Sequence, residues 1–474
     1  MRHALSLSAL VVLSAGTAIA GPVNVEDSDV EMMPVFGCFG DEHGHLSGGV
    51  HMMPMDEEVR EFMEAFEIAN QGVVDNRVDL VFVGDGYTAG EMAQYHADVD
   101  GIVNSLYQYE PFTSYQNYFR VTAVEVVSNE SGVDNDPSQG VLRDTALDMR
   151  YWCNNIERLL CVSVSKAYTA AAAAPDIDQV IAIANSSKYG GAGYPSNNLG
   201  TAAGQNGAAA DIAIHELGHS LGDLADEYTY GGPTTYTGPE LGPVDVSIFD
   251  RAAQEANDRK WHYWMDANRV GFDGPIDTFE GGNYSQFGVY RPSNNSMMRA
   301  LGRPFNLVSA EQLLKEIYRE VDPIESGTAT GSVIERGGSV EITPMQPLNQ
   351  DLAVLWYLDD VVQTQLIGAT EVSTDDLVLD GGSHELRVVV TDMTPWVRDE
   401  AMRAQFMTEE RVYTIAGLPC PADLTGEGDL DFFDIGAFLT YYEAEDSRAD
   451  FNDDGLFDFF DIAGFLSAYS AGCP

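Results

Sequence analysis

The sequence predicts an α/β domain, then a β-sandwich of immunoglobulin type, then a small α-helical module. Three observations lead to this order. Apolar strand-like segments alternate with helical ones across residues 76–322, short strands at close spacing fill residues 325–416, and an acidic loop occurs twice within residues 420–474. A chain of 474 residues is too long for one hydrophobic core, so several units are expected.

The N-terminal segment predicts export. Met1-Arg2-His3 precedes an apolar run from Ala4 to Val12, and Ala18-Ile19-Ala20 then offers a small-x-small cleavage site, which is the pattern of a cleaved signal peptide. The run is too short to span a membrane as a helix, and no later segment is apolar enough to do so. We therefore expect a signal peptide at residues 1–20, an N-terminal segment at residues 21–75, and a secreted protein that is associated with the cell surface through its C-terminal module.

Net charge limits the classes of partner that the chain can bind, and the cysteine content indicates how many disulfides it forms. The net charge of −51 comes from 75 acidic against 24 basic residues, and it argues against nucleic acid or an anionic membrane as a partner. Five cysteines in an exported chain favour two disulfides and one remaining thiol. Their positions suggest the pairs Cys153–Cys161 and Cys420–Cys473, which leaves Cys38 unassigned.

Within the α/β domain, local patterns assign individual elements. Strands are predicted at residues 78–83, 120–127 and 180–184, and helices near residues 91–107, 141–160 and 208–222. The segment from 325 to 416 predicts strands at residues 333–334, 339–342, 354–358 and 385–390, with Trp356 in their core.

The helix predicted at residues 208–222 carries a metal-binding pattern. His215 and His219 are four residues apart, so both imidazoles can reach one cation from the same helix face. Glu216 is displaced along the helix, where its carboxylate can take a proton from a metal-bound water. This His-Glu-x-x-His pattern predicts a zinc hydrolase centre, since two unrelated surface histidines would seldom produce it by chance.

A catalytic zinc needs a third protein ligand. Glu240 lies between two prolines and cannot belong to a helix that would present it to the metal. Gly222 favours a turn after the helix, position 225 is alanine, and Asp226 and Glu227 follow. We take Asp226 as the third ligand. Glu227 is the main alternative, and both residues could instead only cap or solvate the turn.

The stretch from residue 215 to 228 closely resembles the signature of the IgA-peptidase family of metallopeptidases, a metzincin-like group. Other segments resemble the family in the same order along the chain: residues 84–88, 127–134, 185 with 189–191, and 290–293 running to 298–299. The resemblance spans about residues 76–322 and implies a metzincin-like peptidase fold. It also implies His215, His219 and Asp226 as zinc ligands, with Glu216 as the catalytic base.

The resemblance suggests three further site residues. Met298 stands where a metzincin-type methionine turn is expected, as an apolar floor beneath the zinc, although a methionine there could also be ordinary core. Tyr290 and Arg291 could stabilise an oxyanion, but a structural role is the stronger expectation. The family name refers to cleavage of immunoglobulin A, and no residue in this sequence indicates that substrate.

The two C-terminal loops have the ligand spacing of calcium-binding loops, each with glycine at its sixth position. The predicted ligands are Asp423, Thr425, Glu427, Asp431 and Asp434 in the first loop, and Asp450, Asn452, Asp454, Asp458 and Asp461 in the second. The first loop departs from the usual pattern through Thr425 and Glu427. Closure by aspartate resembles a dockerin, which implies docking to a cohesin-like scaffold. A calcium-stabilised tail without a partner is the alternative.

Together these patterns predict a secreted zinc endopeptidase that hydrolyses extracellular proteins through a zinc-bound water activated by Glu216. Two alternatives remain at this level. One is a surface adhesin in which the zinc is structural, and the other is a zinc amidase that acts on cell-wall material.

Overall fold

The structure, a computed structural model, describes residues 32–40, 46–54, 64–69, 76–229, 234–418 and 420–472. The first three ranges are strands of which only the backbone is described. The predicted signal peptide at residues 1–20 and the sulfur atoms of Cys38 and Cys473 lie outside the described part. These expectations therefore stay predictions.

An eight-stranded sheet forms the centre of the N-terminal half. Its spatial order is β2-β1-β7-β8-β6-β4-β5-β3. The four inner strands β8, β6, β4 and β5 run parallel, and antiparallel strands flank them on both sides. The strands are β1 (Met32–Gly40), β2 (Leu46–Pro54), β3 (Glu64–Ala69), β4 (Val78–Asp85), β5 (Phe119–Glu125), β6 (Gln179–Ala184), β7 (Gly191–Tyr194) and β8 (Leu199–Ala203).

Both faces of this sheet are buried, as a parallel sheet with helical connections requires. Side chains alternate along β4, so Leu80 and Phe82 enter one core while Val81 and Val83 enter the other. Helices α1, α3 and α5 cover the first face and α2 covers the second. The helices of this half are α1 (Met92–Leu106), α2 (Val164–Ala171), α3 (Ala209–Ser220), α4 (Arg251–Asn257) and α5 (Leu307–Glu320), and a hairpin of β9 (Phe279–Gly282) and β10 (Ser285–Arg291) precedes α5.

The helix predicted at residues 141–160 is wrong. This segment is an irregular loop with a short 3₁₀ turn and isolated β-bridges at Arg150 and Leu159. The buried carboxylate of Asp85 accepts hydrogen bonds from the backbone N–H groups of Leu147 (2.9 Å) and Met149 (2.7 Å). Backbone groups held by a side chain cannot enter an intrahelical ladder, so this capture overrides the helical pattern. The predicted Cys153–Cys161 disulfide is formed within the same region.

Two further sheets follow, in the order β11-β13-β16 and β12-β18-β17-β14-β15. Side chains from both sheets meet in one core around Trp356, which is fully buried. This arrangement agrees with two packed β-layers, while the immunoglobulin type itself stays a prediction. The elements are β11 (Ile324–Gly327), β12 (Val333–Ile334), β13 (Ser339–Pro344), β14 (Ala353–Leu358), β15 (Val361–Val362), β16 (Glu371–Ser373), β17 (His384–Thr391), α6 (Glu400–Phe406) and β18 (Thr408–Ile415).

The C-terminal repeat forms two helices, α7 (Phe432–Glu443) and α8 (Phe459–Ala471), each of which starts at the end of an acidic loop. The rings of Phe438 and Phe465 occupy equivalent positions in the two copies and stack face to face with centroids 4.2 Å apart. The duplicated sequence therefore folds into a small core of its own. Across the described residues, none of the helices combines the length and the apolar character that a membrane crossing requires.

Candidate metal centre

Helix α3 is fixed against the sheet by glycines in the two neighbouring strands. A methyl group at Gly193 in β7 would stand 2.6 Å from Oε2 of Glu216, and one at Gly200 in β8 would stand 3.0 Å from its Cβ. Only residues without a side chain allow such an approach. As a result, Glu216 and its two histidine neighbours are completely buried beside the strand β7.

The chain turns sharply after α3 and returns to the histidines. A Cβ at Gly222 would meet the carbonyl oxygen of Gly218 at 2.7 Å, and Asp223 adopts a left-handed conformation with φ of 49°. The turn places the Leu224 carbonyl where His219 Nδ1 can bond to it, at 2.7 Å. Two residues later, the turn delivers Asp226 to the histidine pair. Gly222 is thus needed for close approach, and the left-handed residue is Asp223.

Three atoms converge at the centre of this arrangement: Nε2 of His215, Nε2 of His219 and Oδ1 of Asp226. Their mutual separations are 3.1 Å between the two nitrogens, and 3.2 and 3.3 Å from each nitrogen to the oxygen. Bonds of about 2.0–2.1 Å to a tetrahedral zinc would separate ligand atoms by about 3.3–3.4 Å. The size of the triangle therefore fits zinc.

Hydrogen bonds at Nδ1 of both histidine rings fix the direction in which Nε2 points. Nδ1 of His215 lies 2.9 Å from the carbonyl oxygen of Met297, and Nδ1 of His219 bonds to the Leu224 carbonyl. Carbonyl oxygens only accept, so each Nδ1 carries the proton and each Nε2 can direct a lone pair at a metal. This is the arrangement that metal-binding histidines adopt in proteins.

The electrostatics of the metal-free cluster also favour a cation. Burial lowers the pKa of His215. Burial acts on His219 in the same sense, yet the carboxylates of Asp226 and Glu216 prevail and raise its pKa to about 9. For Asp226, burial disfavours the charged form, but the His219 charge and hydrogen bonds from both histidines lower its pKa. Without metal, a proton on His219 thus supplies the positive charge that the carboxylates require, and a bound cation would displace it.

Glu227, the alternative third ligand, points away from the histidines. Its carboxylate accepts hydrogen bonds from Ser296 Oγ (2.7 Å) and Asn306 Nδ2 (2.6 Å). Burial raises its pKa to about 7. Asp245 lies close by, holds the backbone N–H of Ala225 at 2.9 Å, and has its own pKa raised by burial and by the Glu227 charge. Glu227 therefore supports the loop that carries Asp226 and does not join the cluster.

Met298 is fully buried beneath α3, and a Cβ at Gly218 would stand 2.5 Å from its sulfur. Its carbonyl oxygen accepts a hydrogen bond from the backbone N–H of Glu227 at 2.8 Å. The Met297–Met298 segment thus contacts the helix from below and holds the loop after it. A role for Met298 as the floor of a metal site stays a prediction.

The contacts of Arg291 stabilise the fold. Its guanidinium donates to the carbonyl oxygens of Glu280 (3.0 Å), Gly281 (2.5 Å) and Asn294 (3.2 Å) and ties the β9–β10 hairpin to the following loop. Tyr290 pairs through its backbone with Ser247 in the same region. The structure gives neither side chain a contact with the histidines, so an oxyanion role has no support in the described residues.

Sequence reasoning missed Tyr284, whose phenol donates a hydrogen bond to Oδ2 of Asp226. The tyrosine lies in the two-residue turn between β9 and β10, far from Asp226 in sequence, and its φ of 63° is left-handed. The sequence alone carries no signal for this contact, because the Asn283-Tyr284 turn, where asparagine-glycine would be the expected pair, is recognised only in the folded hairpin.

The two acidic loops directly precede α7 and α8. In the first loop, the acidic side chains of Glu427, Asp431 and Asp434 approach one another closely enough to bind one ion. In both loops the last aspartate also completes a capping box with the N-cap aspartate three residues before it, Asp434 with Asp431 for α7 and Asp461 with Asp458 for α8. Nothing in the structure tests calcium itself, so these ligands stay predictions.

Comparison with known proteins locates one family. Residues 66–270 match the sequence model of a family described as IgA Peptidase M64. The matched range contains α3, both histidines and the returning loop with Asp226, and it ends before the β9–β10 hairpin and Met298. No curated protein matches the chain.

Proposed function

Because residues 66–270 match the family model described as IgA Peptidase M64, we propose that the chain is a member of this family and acts as a secreted, zinc-dependent endopeptidase. The single observation that carries the proposal is the triangle of His215, His219 and Asp226, with sides of 3.1–3.3 Å. Within the described residues the cluster contains three ligand side chains. A tetrahedral ion held by three protein ligands keeps one position for the reaction, whereas structural zinc is bound by four.

Bound zinc would polarise the scissile carbonyl and make a water molecule acidic enough to attack it at neutral pH. Glu216 is next to His215 on α3, and its negative charge reaches His219. The carboxylate of Glu216 accepts the proton that the attacking water loses as its oxygen bonds to the carbonyl carbon. It then passes this proton to the amide nitrogen as the carbon–nitrogen bond breaks. The packing of Gly193 against its Oε2 holds this carboxylate in place.

The Glu216→Gln variant tests the proposal. The amide keeps the size and shape of the side chain but cannot take up the proton, so kcat on a casein-derived peptide should fall about 10²–10⁴-fold. Zinc content, measured by elemental analysis, should remain at one ion in the peptidase domain. Glu240→Gln is the matched control, since this glutamate binds the backbone of Ile248 and Lys260 instead of the cluster. Full activity in Glu216→Gln would contradict the mechanism.

The remaining parts of the proposal concern location and attachment. The predicted signal peptide at residues 1–20 directs the chain out of the cell, and an N-terminus near Gly21 in the secreted product would support this. We further infer that the two acidic loops bind calcium and that the tail docks to a cohesin-like scaffold. Four phenylalanines at the starts of α7 and α8 support a docking surface because they are largely exposed, namely Phe432, Phe433, Phe459 and Phe460.

A further inference from the structure

We propose that Tyr284 is a positioning residue that determines which oxygen of Asp226 faces the metal. The two carboxylate oxygens of Asp226 have different neighbours. Oδ1 lies 3.2 and 3.3 Å from the Nε2 atoms of His215 and His219, while Oδ2 accepts the hydrogen bond of the Tyr284 phenol. Because Asp226 is almost completely buried, solvent cannot replace this phenol as a donor. The phenol therefore holds Oδ2 aside and leaves Oδ1 as the single ligand atom.

The backbone around Tyr284 is consistent with a role for its side chain. Asn283 and Tyr284 connect β9 to β10 as a two-residue turn, with φ of 44° and 63°. Hairpin turns with both central residues left-handed usually contain glycine at the second position, because a side chain disfavours that backbone conformation. A tyrosine thus occupies a position where the backbone alone would favour glycine.

Two backbone hydrogen bonds hold this turn against the metal loop, the loop after α3 that carries Asp226 and Tyr228. The N–H of Asn283 donates to the carbonyl oxygen of Asp226 at 2.8 Å, and the N–H of Tyr284 donates to that of Tyr228 at 3.0 Å. The rings of Tyr228 and Tyr284 also pack edge to face, with centroids 5.5 Å apart. The turn and the loop therefore form one unit, which fixes the position of the Tyr284 phenol relative to the Asp226 carboxylate.

The inference rests on the proposed metal centre, so the experiment measures metal binding directly. Tyr284→Phe removes the hydroxyl and keeps the ring that packs on Tyr228. Loss of a hydrogen bond to a metal ligand typically weakens metal binding 10–100-fold, and we expect that increase in the Kd for zinc, measured by competition with a chelator. With cobalt as the probe, the visible absorption should weaken as the freed second oxygen raises the coordination number. Melting of the metal-free variant, followed by circular dichroism, verifies that it is folded.

Tyr290→Phe is the matched control because it removes a phenol from the same hairpin without touching Asp226, and its Kd should equal that of the wild type. In an Asp226→Ala background, Tyr284→Phe should change the Kd no further, since the phenol acts through that carboxylate. A wild-type Kd in folded Tyr284→Phe, or a further loss in the Asp226→Ala background, would overturn the inference. A reduced kcat at unchanged Kd would overturn it as well. If the wild-type protein itself binds no zinc, the proposed function fails first, and the two failures remain distinguishable.

Discussion

Replacing Gly193 with alanine places a methyl carbon 2.6 Å from Oε2 of Glu216. Ordinary contact begins at about 3.4 Å, so the carboxylate must retreat by about 0.8 Å. The nearest atoms of His219 lie at 3.4 and 3.5 Å from the same methyl carbon and need not move. The substitution therefore displaces the proposed base while it leaves the metal ligand in place.

The size of the effect follows from this displacement. A misplacement of about 1 Å in a reacting group costs about 10²-fold in rate, which corresponds to about 2.7 kcal/mol in the activation barrier. We expect kcat of Gly193→Ala on a fluorogenic peptide to fall by about this factor. The carboxylate is the mobile end of a side chain, so the melting temperature should change little. Zinc content should remain that of the wild type.

Two comparisons make this experiment decisive. Gly207→Ala, just before α3, has no atom within 4 Å of the new methyl group and should retain full activity. In a Glu216→Gln background, Gly193→Ala should cause no further loss, because its target is already inactive. Gly193→Ala with wild-type kcat and bound zinc would refute the packing argument, and loss of zinc would show that the histidines moved instead.

Two more predictions concern pH and calcium. Burial raises the pKa of Asp178 to about 7 from the ordinary 3.8, so the folded state keeps a proton that the unfolded chain releases near pH 4. The contribution of this group to the free energy of unfolding therefore falls as the pH rises from about 4 to about 7. In urea titrations, the stability of Asp178→Asn relative to wild type should rise over that interval and then level off. A stability difference that does not change with pH would contradict this. Calcium should protect residues 420–472 from proteinase K, and the calcium concentration at half-protection should be higher for Asp454→Asn than for Asp453→Asn, whose side chain is also exposed. Protection that survives chelation would exclude the calcium sites.

Local patterns predicted the central elements of the site well. The helix expected at residues 208–222 extends from Ala209 to Ser220, and strands were expected where β4, β5 and β6 occur. These elements have strong periodicity, and burial in the structure agrees with it. The pattern also placed His215 and His219 on one helix face, because that relation depends on helix geometry alone.

The rest depended on contacts between distant residues. Adjacent acidic residues in the loop after α3 point to different environments, so spacing alone could not decide between Asp226 and Glu227. The expected helix at residues 141–160 was lost to Asp85, which lies far earlier in the chain and captures its backbone. Tyr284 could not be connected with Asp226 before the β9–β10 hairpin was known to fold back onto the metal loop.

The pairing of β1 with β7 has a consequence for access to the site. Phe36 in β1 is opposite Gly193 in β7, the residue that contacts Glu216. An extended polypeptide that approached Glu216 by adding to this edge would have to take the place of β1, since one strand edge can pair with only one neighbour at a time. Its apparent Kd would then equal the intrinsic Kd divided by the fraction of molecules in which β1 has detached. In that case the free energy of local opening of the N-terminal strands would set how far the apparent affinity for substrate lies below the intrinsic affinity.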